Sequence, residues 1–407
     1  MPIRSLPAGE QGMDDASDSL IRDPAAGANQ SGLRDQNARL VLSYLRRHGQ
    51  MAGAEIARRS GLSAQTVSNI LRALEAQELL RRGEAVKARG KVGKPSVPME
   101  LNPGGVYSVG LSIGRRSAEL VLVDFHGAPI ASHAIAYPYP VIETVFDFIP
   151  TGLKRIFDEC PEAHTRTTGI GVARPNEIWN WLEQVNAPED AMKQWKDLSL
   201  DAEISAVTGL DVFIENDATS ACVAEHLLGR GSEFSDFAHI FIGAFVGGGL
   251  VLDGKIVWGP TRNAAAIGPL PVPDGRGGVV PLLSRTSLYL LEEDLAEAGR
   301  DPVGLRRSPA DWSAFEPQVT EWIGRTAQYL SIAALSIASV VEVEAILIDG
   351  AMPKDVCQRL VDETDRHFDT LDRTGLERPR IEAGAVGRRA RSIGAALLPI
   401  HSRFFVA

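Results

Sequence analysis

The chain has 407 residues and a formal net charge of −10 at pH 7, and its length predicts two or three domains. Its apolar fraction of 44% is ordinary for a globular protein. No apolar run reaches the roughly 18 residues of a membrane helix, and the N-terminus lacks a secretory pattern, so we expect a cytoplasmic protein without membrane contact. The three cysteines are too far apart for a zinc site or a disulfide framework: Cys160, Cys222 and Cys357.

Residues 1–33 are rich in Gly, Ala, Ser, Asp and Pro and lack periodicity. This composition predicts a disordered N-terminal arm, unless the true start lies downstream. We interpret residues 34–101 as the next domain, because the turn sequence Asn-Pro-Gly-Gly at 102–105 follows it. A helical stripe opens this domain and consists of Ala38, Val41, Leu42 and Leu45.

Residues 54–76 carry a helix-turn-helix pattern. A short helix over 54–60 is followed by the turn Gly-Leu-Ser, in which Ser63 has the position and chemistry of an N-cap. The helix behind Ser63 has an apolar stripe at positions i, i+3, i+4 and i+7, namely Val67, Ile70, Leu71 and Leu74. Side chains that hydrogen-bond bases or phosphates lie off this stripe, and we predict that they contact the DNA major groove: Ser63, Gln65, Thr66, Ser68, Asn69 and Arg72.

A wing is predicted after this helix, with strands at 79–82 and 97–101 around a basic, glycine-rich loop. We expect its cations to contact the DNA backbone or the minor groove, in particular Arg89, Lys91 and Lys94. Any small helical bundle has apolar stripes, and a basic loop can simply be solvated. Charge favours DNA, because residues 34–100 hold 13 Lys and Arg against six Asp and Glu in an otherwise acidic chain.

From residue 106 onward, strands alternate with helices, which predicts an α/β domain with sheets covered on both faces and two lobes around a cleft. The predicted strands are 106–113, 118–124, 130–136, 168–172, 212–215, 238–244, 247–252 and 345–348. The predicted helices are 143–157, 218–228, 286–298 and 319–341. Because the last of these is apolar nearly all round, we expect a buried interdomain or dimer helix.

Four motifs in this order carry a family resemblance: Gly-Lys-Pro at 93–95, Asn-Pro at 102–103, Glu-Asn-Asp-Ala at 215–218 and Gly-Gly-Gly at 247–249. The chain resembles the ROK family (repressors, open reading frames and sugar kinases), specifically its transcriptional-repressor branch. The resemblance implies that residues 106–407 adopt the two-lobed, actin-like or ribonuclease-H-like fold. It also implies a homodimer or tetramer and a sugar or sugar-phosphate effector in the cleft.

The phosphate loops depart from the family pattern. The first loop reads Ser112-Ile113-Gly114-Arg115-Arg116, without the metal-orienting Asp, and two arginines replace the residues that let the backbone approach a phosphate. In the second loop, Ala244 and Phe245 stand where the family has Thr and Gly. Residues 348–351 also depart from the family's Gly-Gly pattern. Phosphoryl transfer depends on positioned phosphates and a metal ion, so we expect no enzymatic activity, no catalytic residues and no cofactor.

The zinc and sugar motifs are also altered. Ala266 stands where the family has a sugar-binding Glu, and Pro269 stands where it has a zinc-binding His. Residues 272–281 keep the glycines of the family's cysteine cluster but hold no cysteine, and Pro281 replaces its final Glu. Without imidazole or thiolate ligands at these positions, we expect no structural zinc.

The resemblance implies that Asn216 and Asp217, which match the family's Asn-Asp, bind the effector. It also implies a pocket loop formed by Thr261, Arg262 and Asn263. Asp217 has an alternative role as a helix cap. The cations Arg115, Arg116 and Arg262 suit an acidic or phosphorylated ligand. Three tryptophans are either core under a long loop or a stacking surface for a ligand: Trp179, Trp181 and Trp195. Three histidines without ligand spacing are expected to be surface or hydrogen-bonded core residues: His126, His133 and His239.

These observations predict a repressor of carbohydrate-related genes that binds an inverted-repeat operator in double-stranded DNA as a homodimer or tetramer and responds to a small-molecule effector. Two alternatives remain. One is a bifunctional sugar kinase that retains Asp217. The other is a dimeric DNA-binding protein whose α/β part binds no small molecule.

Overall fold

The computed structural model describes residues 30–84, 97–180, 182 and 187–406, with side chains from Asp35 onward. The first helix begins at Gln30 and includes the last four residues of the predicted arm, and the rest of that arm lies outside the described residues. Among the described residues, no helix combines the length and the apolar content needed to cross a membrane.

The N-terminal domain consists of three helices and a two-stranded antiparallel sheet. Its elements are α1 (Gln30–His48), α2 (Gly53–Ser60), α3 (Ala64–Ala76), β1 (Leu80–Arg82) and β2 (Met99–Leu101). The predicted apolar stripes form its core, in which Val41, Leu45, Ile56 and Val67 are each at most 1% exposed. The loop that joins β1 to β2 contains residues 85–96, which lie outside the described residues.

The first lobe of the α/β part is a five-stranded sheet, with the helices of the lobe on one face and the C-terminal helix of the chain on the other. In spatial order its strands are β5 (Pro129–Ala136), β4 (Ser117–Val123), β3 (Tyr107–Ile113), β6 (Thr167–Arg174) and β7 (Val212–Asn216). Strand β4 runs antiparallel to both neighbours, whereas β3, β6 and β7 are parallel. The helices are α4 (Ile142–Glu159), α5 (Ala163–Arg166), α6 (Glu189–Lys193) and α7 (Leu200–Thr208).

The second lobe repeats this sheet pattern, with an antiparallel side followed by parallel strands. In spatial order its strands are β10 (Lys255–Ile256), β9 (Val246–Leu252), β8 (Phe237–Ile242), β13 (Ala345–Gly350) and β14 (Arg380–Ala383). A separate hairpin is formed by β11 (Pro271–Pro273) and β12 (Val279–Pro281). The helices are α9 (Leu283–Thr286), α10 (Leu288–Glu297), α11 (Gly304–Arg307), α12 (Gln318–Val340) and α13 (Lys354–Asp369).

Two expectations for this lobe need correction. The apolar helix α12 packs against α13 and contributes Trp322 and Leu330 to the core of the second lobe, so the interdomain alternative is wrong, whereas a role in a dimer stays a prediction. The single helix predicted over 286–298 is interrupted at Ser287, because the backbone there is extended and the Ser287 hydroxyl accepts a hydrogen bond from the N–H of Val246.

Two helices join the lobes: α8 (Asp217–Leu228) packs on β8 and β9, and α14 (Ala390–Phe404) packs on β3 and β6. They cross each other without intervening side chains, since a Cβ at Gly394 would lie 1.7 Å from the carbonyl oxygen of Ser220. Gly171 allows the same approach of α14 to the first sheet, where a Cβ would lie 1.8 Å from the carbonyl oxygen of Ala395. Sequence reasoning did not identify α14, although it is the central connection of the fold.

The C-terminal end of α14 also contacts the N-terminal domain. The guanidinium of Arg46 in α1 lies 4.7 Å from the ring centre of Phe405, and the N–H of Val406 donates to the hydroxyl of Ser43. Arg166 of the first lobe pairs with Glu78 on the other side of the junction. The two domains are therefore joined through α14 as well as through the chain at 102–105.

Candidate nucleic-acid interface and ligand cleft

Helix α3 begins where the sequence predicts, because Ser63 caps it. The Ser63 hydroxyl accepts a hydrogen bond from the N–H of Thr66 at 3.1 Å, and it lies 2.8 Å from the Thr66 hydroxyl. Gly61 ends α2 with a left-handed φ of 71°, which suits glycine. The two hydroxyls predicted to contact DNA therefore also hold the N-terminus of the helix in place.

The outer face of α3 is a hydrogen-bonded network that nothing covers among the described residues. The amide of Gln65 donates to the Asn69 side-chain oxygen at 3.1 Å, and the Arg72 guanidinium donates to the same oxygen at 2.6 Å. Gln65, Ser68, Asn69 and Arg72 are all exposed. Side chains of these types can exchange such contacts for base edges or phosphates, and the network holds them in position beforehand.

The wing strands flank this helix, with Arg82 of β1 paired to Glu75 of α3 and Arg81 paired to Glu100 of β2. The three wing cations of the sequence prediction, Arg89, Lys91 and Lys94, lie outside the described residues.

A cleft lies between the two lobes and encloses a cavity of about 590 Å³. This volume falls within the range of pockets that bind small molecules. The cavity is lined by the N-terminus of α8, the glycine loop before β9, the loop at 174–179, the loop at 261–269 and the beginning of α14. Asn216, Asp217, Thr261 and Asn263 of the predicted effector site are among the lining residues.

Helix α8 is capped at its N-terminus by Asn216 and not by Asp217. The Asn216 side-chain oxygen accepts from the N–H groups of Ala218 and Thr219, so Asn216 is the N-cap. Asp217 is the first helical residue, where the helix dipole favours a carboxylate. One oxygen of Asp217 bonds to the N–H of Ala218, and the other faces Arg391.

Arg391 is the main cleft residue that sequence reasoning missed. Its Nη1 lies 3.5 Å from the Asp217 carboxylate, and its guanidinium lies over the Phe241 ring at 5.4 Å. A Cβ added at Gly114 would lie 3.2 Å from Arg391 Nη1, and one added at Gly243 would lie 3.8 Å from it. A cation from α14 therefore occupies the space between the two glycine loops.

The loop at 261–263 places only two of its three predicted effector-binding residues at the cavity. Thr261 and Asn263 line the cavity, whereas Arg262 does not. The Arg262 guanidinium instead pairs with the buried Glu215 carboxylate and lies 4.6 Å from the Trp258 ring centre. Burial raises the pKa of Glu215, and the contact with Arg262 opposes that rise.

The other two arginines that suggested an acidic ligand are also engaged within the protein. Arg115 is buried, donates to the carbonyl oxygens of Ile178 and Asn180, and lies 4.5 Å from the Phe245 ring centre. Burial lowers its pKa to about 10, so it remains a cation at pH 7. Arg116 donates to the carbonyl oxygen of Pro138 and pairs with Glu292.

The glycine run of the second loop has a packing role. Gly247 and Gly249 lie in β9 against α8, where a Cβ would approach Ala218 Cβ to 2.6 Å and Cys222 Cβ to 2.3 Å. The carbonyl oxygen of Gly243 accepts the N–H of Leu288, at the start of α10. These contacts explain the glycines without a bound phosphate.

The tryptophans divide between the two interpretations. Trp195 is core, 4% exposed, and its ring N–H donates to the carbonyl oxygen of Pro140. Trp179 lines the cavity. Trp181 lies outside the described residues.

The segment aligned with the family's cysteine cluster forms the β11–β12 hairpin. Its turn is closed by the Asp274 carboxylate, which accepts the N–H groups of Arg276 and Gly278. These bonds lower the pKa of Asp274. Backbone hydrogen bonds to one side chain thus hold this turn.

Comparison with known families finds a match in the N-terminal domain and another in the α/β part of the chain. The model of the ROK family matches residues 108–280, and a model of the MarR family matches residues 31–89. The MarR match covers the helix-turn-helix segment, and the ROK match covers the first lobe, α8 and the glycine loop.

Among curated proteins, the uncharacterized protein y4fQ of Sinorhizobium fredii (strain NBRC 101917 / NGR234) is 24% identical over 91% of this chain and 92% of its own length. The xylose repressor of Bacillus subtilis (strain 168) is 21% identical over 60% of this chain, which spans 62% of that repressor's length. A β-glucoside kinase of Listeria monocytogenes is 32% identical, but only over 34% of this chain and 48% of its own length.

Among solved structures, a ROK family transcriptional regulator described as a homologue of the Escherichia coli MLC protein superposes with a TM-score of 0.66. It is 20% identical and the match covers 91% of this chain and 97% of that one. The similarity therefore extends over the winged-helix domain and both lobes together.

Proposed function

Since the chain belongs to the ROK family and carries a MarR-type winged-helix domain, we propose that it is a DNA-binding transcriptional repressor of carbohydrate-related genes that acts in the cytoplasm. The observation that carries this proposal is the exposed network of Gln65, Asn69 and Arg72 on a helix capped by Ser63. The xylose repressor among its relatives supports the link to carbohydrate genes.

In this proposal the N-terminal half of α3 enters the major groove. Gln65 and Asn69 contact base edges, Ser63, Thr66, Ser68 and Arg72 position the helix on the duplex, and the wing cations Arg89, Lys91 and Lys94 contact phosphates. A homodimer presents two such helices, so that the operator is an inverted repeat. A tetramer would contain two of these dimers.

Selection from a random double-stranded DNA library tests this function, because it does not require the operator sequence to be known. We expect the full chain to enrich an inverted repeat. Asn69→Ala should lose that enrichment, whereas Gln77→Ala, which changes an exposed residue at the other end of α3, should retain it. Enrichment of no sequence, or of the same sequence by Asn69→Ala, would contradict the proposed contact.

We further propose that the cleft binds the effector and that the effector is a sugar derivative with a carboxylate or phosphate group. Three arginines line the cavity, Arg115, Arg174 and Arg391, against two carboxylates, Glu177 and Asp217. Among the described residues, the buried Nε groups of Arg174 and Arg391 have no hydrogen-bond partner. An anion would satisfy these donors, and hydrogen bonds to charged groups are the stronger kind.

The polar residues around the arginines suit the sugar part of such a ligand. Asn216, Asp217, Thr261 and Asn263 offer hydrogen-bonding groups to hydroxyls, and Trp179 offers an aromatic face. Arg262 supports the site indirectly, because it pairs with Glu215, the residue that precedes Asn216 and Asp217. The cavity volume of about 590 Å³ supports this reading over a dimer that binds no small molecule.

Thermal unfolding with neutral sugars, sugar acids and sugar phosphates tests the cleft. We expect stabilisation by an anionic member of the panel. Arg391→Gln should weaken that ligand about 10- to 100-fold because a charged hydrogen bond is lost. Arg276→Gln, which changes an exposed hairpin arginine, should not weaken it. Equal responses of both variants would exclude Arg391 as the anion contact.

We propose that the chain is not a kinase, although the β-glucoside kinase match makes a direct test worthwhile. Arg391 lies between the two glycine loops and pairs with Asp217, the residue that a kinase would use as its base. A coupled assay with ATP, Mg²⁺ and a hexose panel should show no turnover. Turnover that disappears in Asp217→Asn would establish the bifunctional alternative.

A further inference from the structure

A buried polar cluster lies in the second lobe, between the sheet and α8. It consists of Glu225 on α8, His239 on β8 and Asp349 on β13, and none of the three is more than 3% exposed. One ligand atom from each side chain lies within 4.8 Å of the others. The sequence predicts His239 to be a surface residue or a hydrogen-bonded core residue. It lies in the core, and the described residues provide no hydrogen-bond partner for its ring.

His239 is the feature that a packing explanation leaves unaccounted for. Both of its ring nitrogens are buried, and neither has a hydrogen-bond partner among the described residues. Burial of an imidazole without partners costs free energy of folding, because its nitrogens lose their hydrogen bonds to water and gain none in the protein. Burial also lowers the pKa of His239, so that the ring is neutral at pH 7 and carries a free lone pair.

The two carboxylates bring negative charge without an ion pair. Glu225 accepts the N–H groups of Arg230, Ala385 and Val386, and Asp349 accepts those of Gly350 and Gly387. Neither carboxylate has a salt bridge with a described side chain. Buried charges are normally paired or bound to a metal ion.

We propose that Glu225, His239 and Asp349 bind a divalent transition-metal ion, zinc or manganese. One imidazole and two carboxylates form a donor set that suits these ions. Three ligand atoms bonded to one ion at about 2.0–2.2 Å lie roughly 3.3–3.8 Å from one another, so a cluster whose ligand atoms lie within 4.8 Å needs to contract by at most about 1–1.5 Å.

This site differs from the family's zinc motif, which aligns with residues 269–281 in the β11–β12 region. It lies instead where α8 meets β8 and β13, next to the loop 384–387 that leads into α14. His239 is also a neighbour of Phe241, the ring that supports Arg391, with ring centres 6.4 Å apart. A bound ion would thus fix the elements that place Arg391 in the cleft.

Metal analysis of the full chain tests this proposal. The protein is produced with added zinc and manganese, dialysed against chelator-treated buffer and measured by inductively coupled plasma mass spectrometry. We expect about one ion per chain in the wild type and in His126→Gln, which changes an exposed histidine. We expect essentially none in His239→Leu, because losing even a supporting group can weaken a metal site 10–100-fold.

The variant itself should fold, since His239→Leu replaces an unpartnered imidazole by an apolar side chain in a buried position. Asp349→Asn provides a second test, because it keeps an acceptor oxygen and loses the charge. Cobalt reconstitution should give visible ligand-field bands in the wild type that both variants lose. Equal metal content in the wild type and His239→Leu would mean an adventitious ion only and would overturn the site, as would a wild type that retains no ion after incubation with zinc or manganese.

Discussion

The exposed face of α3 and the interlobe cleft are both polar, yet their side chains are held in different ways. On α3, Gln65, Asn69 and Arg72 bond to one another within two turns of one helix. In the cleft, Arg115 bonds to carbonyl oxygens 63 and 65 residues away, and Arg391 meets Asp217 across 174 residues. The first site is therefore a property of one helix, whereas the second is a property of the whole fold.

This difference teaches where each site is vulnerable. A substitution on the α3 face should change DNA binding and leave the rest of the protein intact. The cleft depends on how closely α8, α14 and the two sheets approach, so substitutions remote from the cavity should disturb it. Substitutions in both regions can test this contrast, from the largest expected effect to the smallest.

The largest effect is expected at the crossing of α8 and α14. In Gly394→Val, the new Cβ would lie 1.7 Å from the carbonyl oxygen of Ser220, so the helices must separate. We expect a loss of at least about 3 kcal/mol in the free energy of unfolding, or failure to fold. Urea denaturation measures it.

A glycine in an open helical position provides the control. Gly324 lies in α12, and a Cβ there would have no atom within 4 Å. Gly324→Ala should leave stability unchanged or raise it by up to about 1 kcal/mol, because alanine is the better helix former. Equal destabilisation by both substitutions would contradict the role assigned to the helix crossing.

The α3 face should respond without a change in folding. Arg72→Ala removes an exposed cation that we assign to a phosphate, and we expect it to weaken binding of the selected DNA by about tenfold and to reduce the salt slope by about one. Fluorescence anisotropy at several salt concentrations measures both. Arg276→Ala, a distant exposed cation, should bind as the wild type does, and a matching loss in that variant would point to general charge instead of α3.

The contact between the N-terminal domain and the C-terminal end of α14 should become less stable in acid. Burial and the neighbouring Arg46 and His226 lower the pKa of His401 to about 3, well under its ordinary value. His401 therefore binds a proton near pH 6.5 in the unfolded chain but only near pH 3 in the folded chain. The free energy of unfolding consequently decreases as pH falls through this interval.

We expect this histidine to contribute about 1 kcal/mol to the stability difference between pH 7.5 and pH 5.5. Urea unfolding at both pH values should show a smaller difference for His401→Gln than for the wild type. His126→Gln, on an exposed turn, should behave as the wild type does. An unchanged pH dependence in His401→Gln would show that this residue does not sense pH at the junction.

The smallest effect concerns the cap of the recognition helix. Ser63→Ala removes the acceptor for the N–H of Thr66 and should cost about 0.5–1 kcal/mol of stability. DNA affinity should fall as well, because the first turn carries Gln65 and Thr66. Unchanged thermal unfolding of Ser63→Ala would show that the cap is dispensable.

The sequence alone predicted the parts of the structure that depend on local pattern. The N-cap at Ser63 and the stripe from Val67 to Leu74 place α3 within one residue of its observed start. The strand and helix around Asn216 and Asp217 were also located, because a β-rich run followed by an N-cap residue is a local signal.

Long-range pairing explains what the sequence could not predict. Nothing near Arg391 indicates that it faces Asp217, and nothing near Arg262 indicates that Glu215 holds it away from the cavity. Helix α14 was missed although its glycine, Gly394, has a clear packing reason, because that reason is the backbone of Ser220. His239 had no recognisable ligand spacing, since its partners come from α8 and β13.

We propose that the effector in the cleft regulates DNA binding at α3, and the most direct test of this coupling is DNA affinity measured with and without an anionic ligand. The selected operator fragment is titrated with the full chain, by fluorescence anisotropy, in the presence of the sugar acid or sugar phosphate that stabilises the protein most. We expect the ligand to weaken operator binding about 5- to 150-fold in the wild type and to have little effect in Arg391→Gln. Operator affinity that is the same with and without every ligand in the panel would contradict the coupling of the two sites.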